Sequence, residues 1–292
     1  MAFGKRTGGS FGPQQPPSAS VSTPSALPGS RRIASNLIGI GKGEADLAGG
    51  AARIVRFLLD SYNDEHGINA ETVISAAGAL AGFAAQEAIW EGFVRPGKIA
   101  AAQALVRVGT KSGETYFFGD LLNAILMSTQ EGHLSIWGIA AGPAVKLGAQ
   151  SLPRLEPIVA HCSETVGTPA FGVPVLPSKL ALKELPRQAL RHWPQIKSIL
   201  LSAGIQPLHW PLEIGVAAQN LTLQAKDILP ADIGALVVMQ AAIPMSKVDP
   251  RTVPGGTMVN DRAAYGLPPD MFADVRLNSL MDVEWRPCRI MC

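Results

Sequence analysis

The sequence predicts a mainly α-helical protein, a compact multi-helix bundle with one small β-hairpin. Three observations lead there. Apolar residues recur at helical spacing through the middle of the chain, and one such segment carries no charge on any face, which suits a helix in the centre of a bundle. A single pair of β-branched and aromatic runs, divided by turn residues, interrupts the helical pattern. With 292 residues, 47% hydrophobic and 16% charged, the chain can bury a substantial core.

Residues 1–32 form the head. Met1 to Gly29 is built from Gly, Pro, Ser, Gln and Thr with few large apolar residues, too little to offset the entropy of ordering, so a disordered arm is expected. Its prolines and glycines oppose the amphipathic helix of a transit peptide. Ser30-Arg31-Arg32-Ile33 hints at a twin-arginine signal, but only Leu37–Ile40 follows before Lys42 and Glu44, less than the roughly 7–15 apolar residues such a signal needs. Gly41-Lys42 is no phosphate loop. That motif needs glycine where Asn36 stands and a hydroxyl where Gly43 stands.

Residues 33–248 read as one helical domain. From Glu44 to Tyr62 the polar positions Arg53, Arg56, Asp60 and Asn63 face away from Ile54, Val55, Leu58 and Leu59, the pattern of a surface helix. Asn63-Asp64-Glu65-His66-Gly67 has neither calcium-loop spacing nor a closing glutamate and reads as a turn between helices. Asn69 caps the next helix, which is uncharged from Val73 to Ala85, with Gly78 and Gly82 leaving room for a neighbouring backbone. Leu105–Thr110 and Thr115–Phe118, joined by Lys111–Glu114, predict a hairpin at about 104–118. Helical patterns resume at Leu134–Gly148 around Pro143, and at Leu155–Thr165.

The fragment HWP occurs at His192–Pro194 and again at His209–Pro211. Proline favours the first helical position and drives the residue before it out of the α region, so each copy predicts an extended tryptophan, acting as an apolar anchor, and a proline that opens a helix. Residues 249–292 read as an extended tail packing on the body. Within it, Met281, Val283 and Trp285 alternate with charges, which makes Met281–Arg286 the candidate third strand for the hairpin.

Charge and cysteine content narrow the function classes. The head's four basic residues leave 21 basic against 23 acidic groups in the rest, so the body offers nucleic acid no basic surface. The mean hydropathy of +0.19 comes largely from alanine. The longest uncharged stretch, Thr72–Gln86, falls short of the roughly 20 apolar residues of a spanning helix, and no membrane insertion is expected. Cys162, Cys288 and Cys292 have no metal-finger spacing and point to a reducing, cytoplasmic setting.

Few residues suggest chemistry. Asp120 stands where an N-cap belongs after the hairpin. His161 and Glu164 are spaced to share a helical face around Cys162, His192 and His209 lie in the HWP repeats, and Glu213 occupies a first helical turn. A small-molecule or metal-dependent enzyme would draw its site from Asp120, His161, Glu164, His192, His209 and Glu213. No HExxH pattern accompanies them, so neither a metal nor a cofactor is expected. The leading expectation is a non-catalytic protein that acts through contacts with a protein partner or a second copy of itself.

Overall fold

A computed structural model describes residues 43–130 and 133–259. The head at 1–32 and the strand expected at Met281–Arg286 lie outside the described residues. The fold is mainly α and compact, with helices packed around one continuous cluster of buried apolar side chains.

Helix α1, Gly43–Ser61, is amphipathic as its spacing predicts: Ala51, Ile54, Val55 and Leu58 are buried while Arg53, Arg56 and Asp60 are exposed. The turn that follows differs from expectation. It is a minimal antiparallel hairpin, β1 (Asn63–Asp64) with β2 (Gly67–Ile68), closed by the His66 amide donating to Asp64 Oδ1 at 2.8 Å and by Gly67 at φ +83°.

Helix α2, Ala70–Ile89, is capped by Asn69, whose Oδ1 accepts from the Thr72 amide at 2.8 Å. Every residue from Thr72 to Ile89 is buried. A π-helical turn, Trp90–Val94, extends it. The 25-residue span Ala70–Val94 is long and apolar enough to cross a membrane by length and composition, but here its apolar stretch is wholly enclosed by the rest of the protein. The uncharged stretch Thr72–Gln86 understates this apolar span, because Glu87 and Glu91 interrupt the uncharged run without ending the helix.

After the short α3 (Ala101–Ala104) come β3 (Val106–Gly109) and β4 (Thr115–Phe118), paired antiparallel with Val106 opposite Phe118 and Gly109 opposite Thr115. A two-stranded ribbon is marginal without cover. Phe117 is fully buried with its ring edge-on to Trp90 at 5.7 Å, and Tyr116 packs against Phe171 at 4.7 Å. A third partner is also present: Val248 bridges Tyr116, and the Phe117 amide donates to the Lys247 carbonyl at 2.9 Å. Among the described residues it is therefore Lys247–Val248, at the exit of the last long helix, that supports β4.

Helix α4, Asp120–Met127, corrects a detail. Gly119 is its cap and Asp120 its first helical residue, because a β-carbon at position 119 would lie 2.7 Å from the Ala104 carbonyl oxygen, which excludes a side chain there. Asp120 still complements the helix dipole from the first turn. Helix α5 (Ile136–Lys146) starts at Ser135, whose Oγ accepts from the Gly138 amide. Helix α6 (Glu156–Thr165) follows, then the single turn α7 (Pro186–Ala189).

The HWP repeats start helices α8 (Trp193–Ser202) and α9 (Trp210–Gln224), each entered through a 3-10 turn. Both tryptophans are buried and their rings meet at 5.9 Å, as expected of apolar anchors. Contrary to expectation they are helical, with φ near −54° and −52°. The amides of Trp193 and Trp210 bond the carbonyls of Leu190 and Pro207, and these turn bonds overcome the weaker bias that proline imposes on its predecessor.

The last long helix, α10 (Ala231–Met245), lies against α2. A β-carbon on Gly78 would fall 2.6 Å from the Val238 carbonyl oxygen, and one on Gly82 still closer to that of Ala242. The two backbones therefore touch, and the pairs 78–238 and 82–242 run in the same direction. Helix α9 packs on another side of α2, α5 spans α9 and α10, and α1 lies outside α8 and α9.

Gly82→Leu should lower the unfolding free energy by on the order of 3 kcal/mol or more, since the added side chain must separate two touching backbones. Gly49→Ala, in exposed α1 with open space around its added methyl, should raise it by about 0.5–1 kcal/mol. Denaturant titration of both variants checks this, and equal stability of Gly82→Leu and the parent would place this face of α2 elsewhere.

Candidate functional site

A groove of about 550 Å³ lies at the end of the bundle where α10 begins. Its floor is apolar: Pro157 and Ile158 from the first turn of α6, Ile233 and Leu236 from α10, and Pro153 from the connecting loop. Arg154, His161, Asp232 and Gln240 supply its polar groups. The α10 residues 232, 233, 236 and 240 share the outward stripe of a helix whose other faces are buried.

One wall is held by side chain to backbone bonds. The Gln240 amide donates to the Val175 carbonyl at 3.0 Å and accepts from the Val175 amide at 3.2 Å. His161 Nε2 lies 3.2 Å from the Val173 carbonyl oxygen. A carbonyl only accepts, so this contact places the hydrogen on Nε2. Both residues thus fix the loop 173–175 against α6 and α10. On the lip, Leu152 and Val175 remain 39% and 59% exposed, and Val145 and Leu147, just before the loop, are 55% and 49% exposed.

The other residues singled out from sequence are dispersed. Asp120 is exposed at the start of α4, and Glu164 is exposed on α6 one turn beyond His161. Cys162, between them, turns inward; burial pushes its thiol up to about 11, far from a reactive thiolate. His192 is wedged between Phe57 and Tyr62, ring centroids 5.4 and 5.6 Å away, and burial lowers its basicity. His209 is exposed. Glu213 is buried, and its Oε1 accepts from the Ala51 amide at 2.5 Å. His192 therefore meets α1 at Phe57, toward its C-terminal end, and Glu213 meets it at Ala51, midway along. Among the described residues no three His, Cys, Asp or Glu side chains are grouped to hold a metal ion.

Burial raises the Glu213 carboxyl to about 7. The folded protein then keeps a proton that the unfolded chain releases above its ordinary value near 4.5. The stabilising share of that neutral carboxyl is full below the unfolded value and is lost as pH rises through 7.

Sequence reasoning missed two buried charges. Glu87, fully buried on α2, accepts from Lys197 Nζ at 3.1 Å and from the Thr257 amide at 2.6 Å. Glu91 accepts from the same lysine at 3.4 Å, from the Thr257 hydroxyl at 3.1 Å and from Arg95 at 2.6 Å. Lys197 lies 5.6 and 6.0 Å from the ring centres of Trp210 and Trp193. This closed network clamps the segment around Thr257 onto the end of α2. The available signal was a glutamate inside an apolar helical run, which demands a partner; the sequence does not say which of 25 basic residues supplies it.

The second is Lys247, 3% exposed, with Nζ donating to Asn123 Oδ1 at 3.0 Å and lying 5.4 Å from the Phe118 ring centre. Burial lowers its pKa to about 8. Between that value and its ordinary 10.5 the unfolded chain holds the extra proton, so folding stability rises with pH across this window. Lys247→Met should therefore be more stable than the parent at pH 7 by on the order of 2–4 kcal/mol, with the difference shrinking toward pH 10. Below pH 9, the ordinary value of the Cys162 thiol, the difference reports Lys247; above it the thiol, coupled to this lysine, acts in the opposite direction. A pH-independent difference would contradict the assignment.

No family model, no curated protein and no solved structure matches the chain.

Proposed function

We propose that this is a non-catalytic helical protein that acts through protein contacts made at the groove between α6 and α10. The observation that carries this reading is the groove's apolar floor together with the exposed apolar side chains Leu152 and Val175 on its lip. An apolar groove with exposed apolar side chains at its lip is the kind of surface that marks interaction sites, because a monomer gains nothing by presenting it to water. The groove's polar groups fit the same reading. His161 and Gln240 are engaged in holding the wall, as a rigid docking surface requires, rather than aimed at a common point where a substrate could react. The buried free thiol of Cys162 suits a reducing compartment.

A second reading, a small-molecule-binding enzyme, rests on the presence of His161 in the groove. Its other candidate groups lie elsewhere, which makes it the weaker of the two.

The test replaces two partly exposed lip residues: the double variant Leu152→Glu, Val175→Glu should stay folded, with a melting temperature within a few degrees of the parent's. In cells that express the chain naturally, the parent should migrate in an assembly larger than 30.7 kDa and the double variant as a monomer. An unchanged assembly in the variant, or a parent that is itself monomeric there, would overturn the proposal.

A further inference from the structure

The stripe of α2 that meets α10 advances one turn at a time through Gly78, Gly82, Gln86 and Trp90. The two glycines bring the backbones together opposite Val238 and Ala242. One turn further, where α10 reaches Ser246, the stripe changes character. Gln86 is fully buried, and among the described residues neither its Oε1 nor its Nε2 has a hydrogen-bond partner; nor has the buried indole Nε1 of Trp90. Exchanging the amide's oxygen and nitrogen would not help, since both are unpartnered. Ser246 offers no donor, because its hydroxyl donates to the Ile243 carbonyl at 2.7 Å. Phe117 closes the other side, its ring edge-on to Trp90.

Three buried polar atoms one helical turn apart on the same stripe are costly to leave dry, and native proteins rarely do so. We propose that the joint between α2, the exit of α10 and strand β4 is an internal hydration site, holding water between the Gln86 amide and the Trp90 indole. The chemistry selects the occupant. Trp90 Nε1 and Gln86 Nε2 need an acceptor while Gln86 Oε1 needs a donor, and water is both. Side chains one helical turn apart stand about 5–6 Å from each other at their β-carbons, a span that bridging water fits. An anion would lack a donor for the amide oxygen's needs, and a cation would face the indole N–H.

The experiment is water-to-protein magnetisation transfer on the full chain labelled at tryptophan indole nitrogen, with the Trp90 signal assigned by its loss in Trp90→Phe. The expected result is a Trp90 indole cross-peak with water whose sign reverses between laboratory-frame and rotating-frame spectra, which marks a long-lived bound water rather than hydrogen exchange. Gln86→Leu, checked for unchanged far-ultraviolet circular dichroism, should abolish that peak. No peak in the parent, or a peak that survives in folded Gln86→Leu at full strength, would overturn the proposal. If Gln86→Leu does not fold, the parent spectrum alone decides.

Discussion

The backbone contact between α2 and α10 is the constraint from which most of the structure follows. Gly78 and Gly82 let the helices approach until one meets the carbonyl oxygens of the other, a separation that any side chain at these two positions would prevent. At that distance α10 covers one whole face of α2. The remaining faces are left to α9, to the hairpin through Trp90 and Phe117, and to Phe83 against Trp193. An all-apolar helix has no face that water stabilises, so its burial organises the positions of its neighbours rather than the reverse.

Burying α2 end to end creates a second requirement. Glu87 lies in the helix's last turns and cannot reach water, so its charge must be met inside. Lys197 meets it from α8, and the tryptophans that open α8 and α9 enclose that lysine's ammonium group. The HWP repeats thus have a joint role: they fix two helix starts and wall the site where the central helix's charge is neutralised. Thr257 completes the coordination and ties the segment after α10 to the same point. At the start of α10, by contrast, the apolar groove remains open.

How much of this was legible in the sequence depends on whether a feature is local. The cap at Asn69, the hairpin and its turn, the apolar central helix and the tryptophan anchors each rest on neighbours along the chain, and local spacing expresses them. The pairing of Glu87 with Lys197 spans 110 positions, and Lys247 becomes unusual only because the hairpin, α4 and α6 close around it. The groove was invisible for the same reason. Its floor comes from two helices and a loop that share no motif, and His161 draws attention in sequence through Cys162 and Glu164, whereas in the fold its ring is engaged by the Val173 carbonyl. Asp120, His192, His209 and Glu213 are each explained by what lies next to them, a helix start, two aromatic rings, solvent and an α1 amide. The sequence lists their chemistry but not their separation.

If the α2–α10 contact is the structure's foundation, α2 cannot open without everything that packs on it. Native-state hydrogen exchange measures this residue by residue. The account predicts that the amides from Gly78 to Ala85 exchange only through global unfolding, with opening free energies equal to that from denaturant titration. Exchange of these amides at free energies well below the global value, while α9 stays protected, would contradict it.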